Sequence, residues 1–260
     1  MIAFAHKPGL VAYLTCGDPD LSTSRSVALG AIDAGADVIE LGVPFSDPVA
    51  DGPVIQRASE RALQSGTSLK DAIALGAEVR RLRPRTGLIV FTYLNPVLRI
   101  GIEAFALQLA SAGIDGALIT DLTIDEAGDY VEKMRTRNLA TIFLAAPTST
   151  DQRLKAIAEA SRGFIYAVSR TGITGEQKQI AIDAAELVTR VRRFSSLPIA
   201  VGFGISNAQQ FQRVGEFADA AVVGSAIVSV IEKYGRDSAE PVANFIRSLG
   251  AERSAAQARR

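Results

Sequence analysis

Short apolar runs alternate with longer amphipathic runs along the whole chain, and this alternation constrains the fold more than any other feature. Eight runs have the length and composition of strands, at residues 10–16, 36–43, 87–93, 116–120, 140–146, 163–169, 198–204 and 218–223. They are apolar nearly throughout, which is typical of parallel strands buried on both faces. The alternation therefore predicts an α/β fold with a parallel sheet.

The longer runs have the periodicity of amphipathic helices. They cover residues 22–34, 69–82, 102–112, 124–138, 151–161, 180–194 and 208–217. Ser68 and Ser206 are predicted N-caps, because a serine hydroxyl can accept a hydrogen bond from a free amide of the first helical turn. Eight β–α units favour a closed (β/α)8 TIM barrel over an open sheet, and the 260 residues of the chain match the length of one such barrel.

No linker, charge block or low-complexity segment divides the chain, so we predict one domain over residues 1–260. Within it, residues 1–9 form a short N-terminal lead and residues 251–260 are expected to fray. Basic and acidic residues number 28 each, which argues against binding to nucleic acid or to an anionic membrane. No apolar run approaches the ~20 residues that span a bilayer. The single cysteine excludes an intrachain disulfide and fits a cytoplasmic location.

Glu40 lies inside one of the apolar runs, where a carboxylate is costly to desolvate and needs a reason to be present. The loop at 44–53 that follows is rich in Pro, Asp and Gly and carries Asp51. Barrel active sites lie at the C-terminal ends of the strands, so these two acids are suited to proton transfer. The alternatives are a structural buried acid at Glu40 and a loop-capping residue at Asp51. Asp18 and Asp121, near other strand ends, are further candidates.

Other common mechanisms lack the residues that they need. The only histidine, His6, is near the N-terminus and not at a strand end, which argues against a histidine-based metal site or a Ser-His-Asp triad. Cys16 has no second cysteine or histidine beside it, and no lysine falls in a predicted strand, which argues against thiol or Schiff-base catalysis. We therefore expect acid–base chemistry by carboxylates and tyrosines, without a metal or a covalent cofactor.

Four aromatic residues, Tyr13, Phe91, Tyr93 and Tyr166, alternate with outward-facing residues on their predicted strands. They are candidates for lining a substrate pocket inside the barrel mouth. Filling of the barrel interior explains each of them equally well, and the sequence leaves both interpretations open.

Glycine-bearing turns follow the last three predicted strands. They are Thr174-Gly175, Gly202-Phe203-Gly204 and Gly224-Ser225. Phosphate sites in TIM barrels often use the loops after strands seven and eight and the N-terminus of a short helix. A helix from Ser225 to Lys233 would present free N–H groups to a dianion, and glycine allows close backbone approach. The alternative is that these glycines only turn the chain.

The longest motif, residues 39–53, reads Ile-Glu-Leu-Gly-Val-Pro-Phe-Ser-Asp-Pro-Val-Ala-Asp-Gly-Pro and resembles the signature of the tryptophan synthase alpha subunit family. The resemblance extends over nearly the whole chain. Further segments that resemble the family are at residues 13–19, 93–96, 166–175, 202–206 and 224–228.

The resemblance implies a (β/α)8 barrel that cleaves indole-3-glycerol phosphate to indole and glyceraldehyde 3-phosphate. It makes Glu40 the general acid and base at indole C3 and at the glycerol hydroxyl. Asp51 would accept the indole N–H and stabilise the indolenine-like intermediate, and Tyr166 matches the tyrosine beside the glutamate. The residues that match the phosphate cradle are Gly175, Gly204, Gly224 and Ser225.

The family pairs with a beta subunit that holds pyridoxal phosphate, so the resemblance implies an alpha2beta2 complex and no cofactor in this chain. The alternatives are a stand-alone lyase that releases free indole, a phosphosugar isomerase on the same barrel, and a degenerate barrel that only activates a partner. Intact Glu40 and Asp51 argue against the degenerate barrel.

Two segments depart from the family pattern. Only about nine residues precede the first strand, where the family usually has a helix under the barrel, so we expect lower stability or exposed apolar surface there. Residues 121–124, Asp-Leu-Thr-Ile, replace the more usual proline-containing loop after strand four, which lies near the side that faces the partner.

Overall fold

A computed structural model describes residues 2–168, 177–202 and 204–257, with side chains omitted at 177–181 and 251–257. Over these residues every strand pairing is parallel. The strands are β1 (Gly9–Thr15), β2 (Val38–Gly42), β3 (Gly87–Thr92), β4 (Gly116–Ile119), β5 (Ala140–Ile142), β6 (Leu144–Ala145), β7 (Ile165–Val168), β8 (Ile199–Gly202) and β9 (Ala220–Val223).

Helices connect these strands along the described parts of the chain. They are α1 (Leu21–Asp33), α2 (Pro53–Gln64), α3 (Leu69–Leu82), α4 (Leu94–Ile100), α5 (Ile102–Ser111), α6 (Gly128–Thr136), α7 (Asp151–Ala160), α8 (Gln177–Val191), α9 (Ala208–Val214), α10 (Ser225–Tyr234) and α11 (Ala239–Gln257). A turn of 3-10 helix at Gly235–Asp237 separates the last two helices.

The sheet closes into a barrel, which confirms the predicted (β/α)8 architecture. Its strand order is β5-β4-β3-β2-β1-β9-β8-β7-β6, so the two ends of the order are β5 and β6. These two strands are one run of chain interrupted at Phe143. At this interruption the Tyr166 amide of β7 donates a hydrogen bond to the Phe143 carbonyl oxygen (3.1 Å), which extends the β6–β7 pairing. The predicted fifth strand at 140–146 is therefore the seam where the ring is completed.

Several predicted boundaries are wrong. The sequence pattern does not predict α2, α4 or α11, and α6 starts later than expected because residues 123–127 form turns. Helix α11 ends at Gln257, and fraying of residues 251–260 stays a prediction. Ser68 begins α3 as predicted, with its amide bound to the Asp71 carboxylate (2.9 Å). Asn207 caps α9 in place of Ser206, because its side chain accepts the Gln210 amide (2.9 Å).

One apolar cluster fills the barrel interior: every strand but β6 and β7 contributes a buried residue, and Leu144 of β6 and Tyr166 of β7 pack against it. Its buried members are Ile2, Val11, Val38, Ile89, Leu118, Ile142, Phe164, Ala200, Ala220 and Val222. A larger cluster lies between the outer face of the strands and the helices. The inward positions continue along β1 and β2 to Tyr13 and Glu40, because side chains two residues apart on a strand share a face. Glu40, the first candidate acid, therefore lies directly above the interior apolar cluster on β2.

The N-terminal lead fills the bottom of the barrel, so the expectation of exposed apolar surface there is wrong. Ile2 is buried in the interior cluster and Phe4 packs against it, with its ring edge-on to that of Phe164 (centroids 6.0 Å apart). Burying a side chain of this size contributes about 1.5–3 kcal/mol. The Asp37 carboxylate holds the lead in place by accepting the Ala5 amide (3.0 Å).

Aspartates recur at the bottom of the barrel. Asp37, Asp115 and Asp219 stand directly before β2, β4 and β9, and each accepts an amide of a neighbouring strand: Leu10 (2.8 Å), Leu88 (2.9 Å) and Ile199 (2.9 Å). Arg80 pairs with Asp115 (2.6 Å) and Arg192 with Asp219 (2.7 Å). These carboxylates replace ladder hydrogen bonds where strands begin, which satisfies amides that burial would otherwise leave unpaired.

Among the described residues, none of the helices has the length and apolar character needed to cross a membrane. A search of the same residues finds no group of three or more His, Cys, Asp or Glu side chains that could hold a metal ion.

Candidate active site

Glu40 lies in the middle of β2 and faces the barrel interior. In register with it are Tyr13 on β1 and Ile89 on β3. The side chain is almost fully buried, and among the described residues its Oε1 atom has no hydrogen-bond partner. Burial and the nearby negative charge of Asp51 raise the pKa of Glu40 to about 8. With this pKa Glu40 is largely protonated at neutral pH, and no residue in the described part of the chain occupies its Oε1 atom.

Asp51 is placed by a clamp that the sequence does not reveal. The Tyr93 hydroxyl donates to Asp51 Oδ2 (3.0 Å) and accepts the Ala50 amide (3.0 Å). The Tyr93 ring stacks on Phe45 with centroids 4.9 Å apart, and Gln56 Nε2 donates to the Asp51 carbonyl oxygen (3.0 Å). Burial raises the pKa of Asp51 to about 6, against the lowering effect of the Tyr93 hydrogen bond. Asp51 is thus ionised at neutral pH.

Tyr13 and Tyr166 form two walls around these acids. Burial raises the pKa of both phenols well above the usual value, and the charges of Asp51 and Glu40 raise both further. Both phenols therefore lie near both carboxylates, and Tyr13 is in register with Glu40 on the adjacent strand. Each ring lies over a glycine of the adjacent strand: a Cβ at Gly42 would overlap the Tyr13 ring, and one at Gly202 would come within 2.7 Å of the Tyr166 hydroxyl.

A small apolar cluster joins the barrel mouth to two helices. Its buried members Tyr13, Ala58 and Val228 come from β1, α2 and α10, and Phe91, Val54 and Ile55 pack against them. Phe91 meets the Tyr13 ring edge-on, with centroids 5.2 Å apart and an interplanar angle of 78°. Apolar and aromatic surface therefore lies beside the acids, as a planar aromatic substrate requires.

Some residues of the predicted phosphate cradle lie in the described part of the chain. Gly224 precedes α10 as its N-cap residue without a side-chain cap, so the first amides of the helix from Ser225 onward are unoccupied by a capping side chain. Gly204 has φ +78°, a left-handed conformation that glycine adopts without strain, and no atom lies near its missing Cβ. Gly175 and Thr174 lie outside the described residues.

The structure brings together Glu40, Asp51, Tyr13, Phe91, Tyr93 and Tyr166, all candidates from the sequence. Two other candidates are engaged elsewhere. Arg61 binds the buried Asp18 carboxylate, and Asp121 Oδ1 accepts the Leu94 amide (2.7 Å). Thr15 is not among the residues predicted from the sequence, although its buried hydroxyl hydrogen-bonds that of Tyr13 (3.3 Å). The two-residue alternation along β1 is the signal that could have found it.

Comparison with known proteins places this geometry in a family. Residues 3–257 match the family model described as tryptophan synthase alpha chain. The tryptophan synthase alpha chain of Solibacter usitatus is 47% identical over 246 residues, which cover 94% of this chain and 92% of that one. The alpha chain from Neisseria meningitidis serogroup B is 42% identical over 250 residues, which cover 95% and 96% of the two chains.

Solved structures agree with the sequence matches. The alpha2beta2 tryptophan synthase complex of Pyrococcus furiosus contains a chain that superposes with a TM-score of 0.86 at 37% identity, covering 94% of this chain and 98% of that one. Mycobacterium tuberculosis tryptophan synthase gives a TM-score of 0.86 at 40% identity, with 94% and 92% of the chains covered.

Proposed function

The chain belongs to the tryptophan synthase alpha chain family and carries its indole-3-glycerol phosphate lyase activity in tryptophan biosynthesis, and from this premise we propose that Glu40 and Asp51 are the catalytic pair. The observation that supports this assignment most is the buried Glu40 Oε1, which has no hydrogen-bond partner within residues 2–168, 177–202 and 204–257, on a carboxyl whose pKa is raised to about 8. A protonated acid with a free oxygen can serve a substrate atom.

In the first step, Glu40 transfers its proton to C3 of the indole ring. This makes C3 tetrahedral and leaves positive charge on the ring nitrogen. Asp51 accepts the indole N–H and stabilises that charge, which a preformed, half-buried carboxylate does better than water. Tyr93 holds Asp51 for this role through the hydrogen bond of 3.0 Å.

In the second step, the Glu40 carboxylate takes the proton of the glycerol hydroxyl on the carbon attached to C3. The bond between that carbon and C3 breaks, and its electrons return to the ring. The products are indole and glyceraldehyde 3-phosphate, and Glu40 is again protonated. One carboxyl group thus acts as acid and then as base, with Tyr166 beside it in the same space.

Substrate binding follows from the surfaces around the acids. We propose that Tyr13, Phe91 and Tyr93 hold the indole ring between aromatic surfaces. The phosphate is proposed to bind the backbone amides at Gly224 and Ser225, where the positive end of the α10 dipole favours a dianion. Gly204, Gly175 and Thr174 are proposed to complete this cradle.

We propose that the chain works with a tryptophan synthase beta subunit in an alpha2beta2 complex in the cytoplasm. The chain itself would need no cofactor, and pyridoxal phosphate would belong to the beta subunit. Val49 on the loop at 44–52 and Leu98 on α4 are exposed apolar residues after β2 and β3. They lie at the C-terminal face of the barrel, where a docking partner would contact the Asp51 loop. We also propose that residues 1–260 form one domain.

The decisive experiment measures indole release from indole-3-glycerol phosphate by the purified chain, with and without added beta subunit. We expect slow release that the beta subunit accelerates by ordering the loops. A fast rate that is unchanged by the beta subunit would favour the stand-alone lyase. Isomerisation of a phosphosugar without any indole release would overturn the assignment.

The pH profile tests the roles of the two acids. Asp51 must be ionised and Glu40 protonated, so kcat/KM should be bell-shaped, falling below about pH 6 and above about pH 8. A profile that rises steadily through pH 9 would contradict Glu40 as the acid.

A further inference from the structure

Four charged side chains join the turn after β1 to helices α2 and α10, outside the set of residues proposed to bind the substrate. Arg61 on α2 binds the Asp18 carboxylate with both nitrogens of its fork, Nε to Oδ1 (2.7 Å) and Nη2 to Oδ2 (2.9 Å). Asp18 lies on the turn after β1 and is 1% exposed. A buried carboxylate of this kind needs its cation, because an unpaired charge there is strongly unfavourable.

The same guanidinium also contacts α10, the helix of the proposed phosphate site. Arg61 Nη1 donates to Glu232 Oε1 on α10 (2.9 Å). Glu232 is also bound by both nitrogens of Arg57 (2.8 and 2.9 Å), one turn earlier on α2. Two acids and two bases make the set neutral. It connects the turn after β1, helix α2 and helix α10, and we refer to Asp18, Arg57, Arg61 and Glu232 as the α2 ion network.

Helix α2 has weaker apolar anchors than α10. Its fully buried residues are Ala58, Ser59 and Ala62, and its larger Val54 and Ile55 are only partly buried, whereas α10 buries Ile227, Val228 and Ile231. Small side chains remove little apolar area from water and give little hold on the position of a helix. The helix begins at Pro53, two residues after Asp51, so any displacement of α2 moves the end of the loop that carries Asp51.

We propose that Arg61 is a positioning residue for the lyase reaction. It holds α2 against the turn after β1 and against α10, and so sets where Asp51 stands relative to the bound indole and phosphate. This inference rests on the proposed role of Asp51. Arginine suits the position because one planar fork satisfies the Asp18 carboxylate with two parallel bonds while a third donor reaches Glu232.

The test compares Arg61→Lys with the matched control Arg83→Lys. Arg83 also grips a carboxylate, Asp33, with two nitrogens (2.8 and 2.6 Å), but this pair is on the surface and outside the network. Arg61→Lys should lower kcat by about 10- to 100-fold through displacement of Asp51. Glycerol 3-phosphate, a probe of the phosphate site alone, should bind with less than about a threefold change in Kd, because α10 keeps its apolar anchors.

The acid limb of the pH profile separates positioning from simple loss of structure. Burial is the larger of the two effects on the pKa of Asp51, so a displaced, better hydrated Asp51 should titrate lower. The limb near pH 6 should therefore move to lower pH in Arg61→Lys and stay in place in Arg83→Lys. Should Arg61→Lys fail to fold, Glu232→Gln is used; it keeps the Asp18–Arg61 pair and should show both effects at smaller size.

Folded variants with the kcat and acid limb of the control would overturn the positioning role of Arg61. This outcome is distinct from failure of the proposed function. If the proposed function were wrong, the wild-type chain itself would release no indole. The role of Arg61 is tested only when the wild-type chain releases indole at a measurable rate.

Discussion

The two ends of the barrel treat their carboxylates differently. At the bottom, Asp37, Asp115 and Asp219 each accept an amide of the adjacent strand. At the top, counting only the part of the chain that the structure describes, Glu40 Oε1 has no partner and the Asp51 carboxylate accepts one bond, from Tyr93. The bottom carboxylates are used to begin strands. The top carboxylates accept fewer hydrogen bonds, and burial raises the pKa of Glu40 to about 8 and that of Asp51 to about 6. The difference separates acids that stabilise the fold from acids that can exchange a proton.

The largest expected effect is on catalysis by Glu40→Gln. The amide preserves shape and cannot supply the proton, and general acid–base groups contribute about 10²–10⁴-fold to rate. Indole release should fall by that factor while circular dichroism and thermal melting show a folded barrel. A folded variant that turns over at a near-normal rate would assign Glu40 to the same structural class as the bottom aspartates.

The same substitution should also reveal that Glu40 destabilises the barrel at high pH. Its pKa is 4.5 in the unfolded chain and about 8 when folded, so between these values the folded state binds more protons. Stability is therefore lost as pH rises, by at most about 1.4 kcal/mol for each pH unit. Urea melts of wild type and Glu40→Gln from pH 5 to 9 should diverge, with the variant more stable at pH 8. Parallel curves would contradict the raised pKa.

The opposite response is expected at the bottom of the barrel. Asp115→Asn weakens the charge-assisted bonds to the Leu88 amide and to Arg80, and should reduce the free energy of unfolding by about 1–3 kcal/mol. The kcat should change by less than about twofold, because no substrate atom is within reach of this end. Chemical denaturation and the indole assay measure the two quantities. A large loss of kcat with unchanged stability would contradict the claim that the carboxylates at the bottom stabilise the fold and do not act in catalysis.

The smallest effect is expected from Tyr93→Phe, which removes one hydroxyl and keeps the ring against Phe45. Asp51 loses the hydrogen bond that lowers its pKa, so the acid limb of kcat/KM should move to higher pH. At pH 7.5 the rate should fall by about 2- to 10-fold, in keeping with one hydrogen bond. The shift is opposite in direction to that expected for Arg61→Lys. An unchanged limb would show that Tyr93 does not hold Asp51.

The sequence by itself determined the barrel and predicted the two acids that we propose for catalysis. Eight apolar runs predict the strands, because a parallel strand that is buried on both faces is apolar along its length. Glu40 stands out for the same reason, since a charge in such a run is expensive to bury. The inward placement of Tyr13, Phe91 and Tyr166 also follows from the two-residue period of a strand. These are local patterns, readable from neighbours in the chain.

Only the tertiary structure decided how the acids are held. The Tyr93–Asp51 bond joins residues 42 apart, and the Arg61–Asp18 and Arg57–Glu232 pairs join residues 43 and 175 apart. Helix α2, whose start falls in a proline-rich loop, and the packing of Ile2 and Phe4 under the barrel also depend on distant partners. The periodicity of a short sequence segment cannot predict contacts between residues so far apart in the chain. The proton affinity of Glu40 arises in the same way, because burial by every surrounding strand, and not its own neighbours in sequence, sets the cost of its charge.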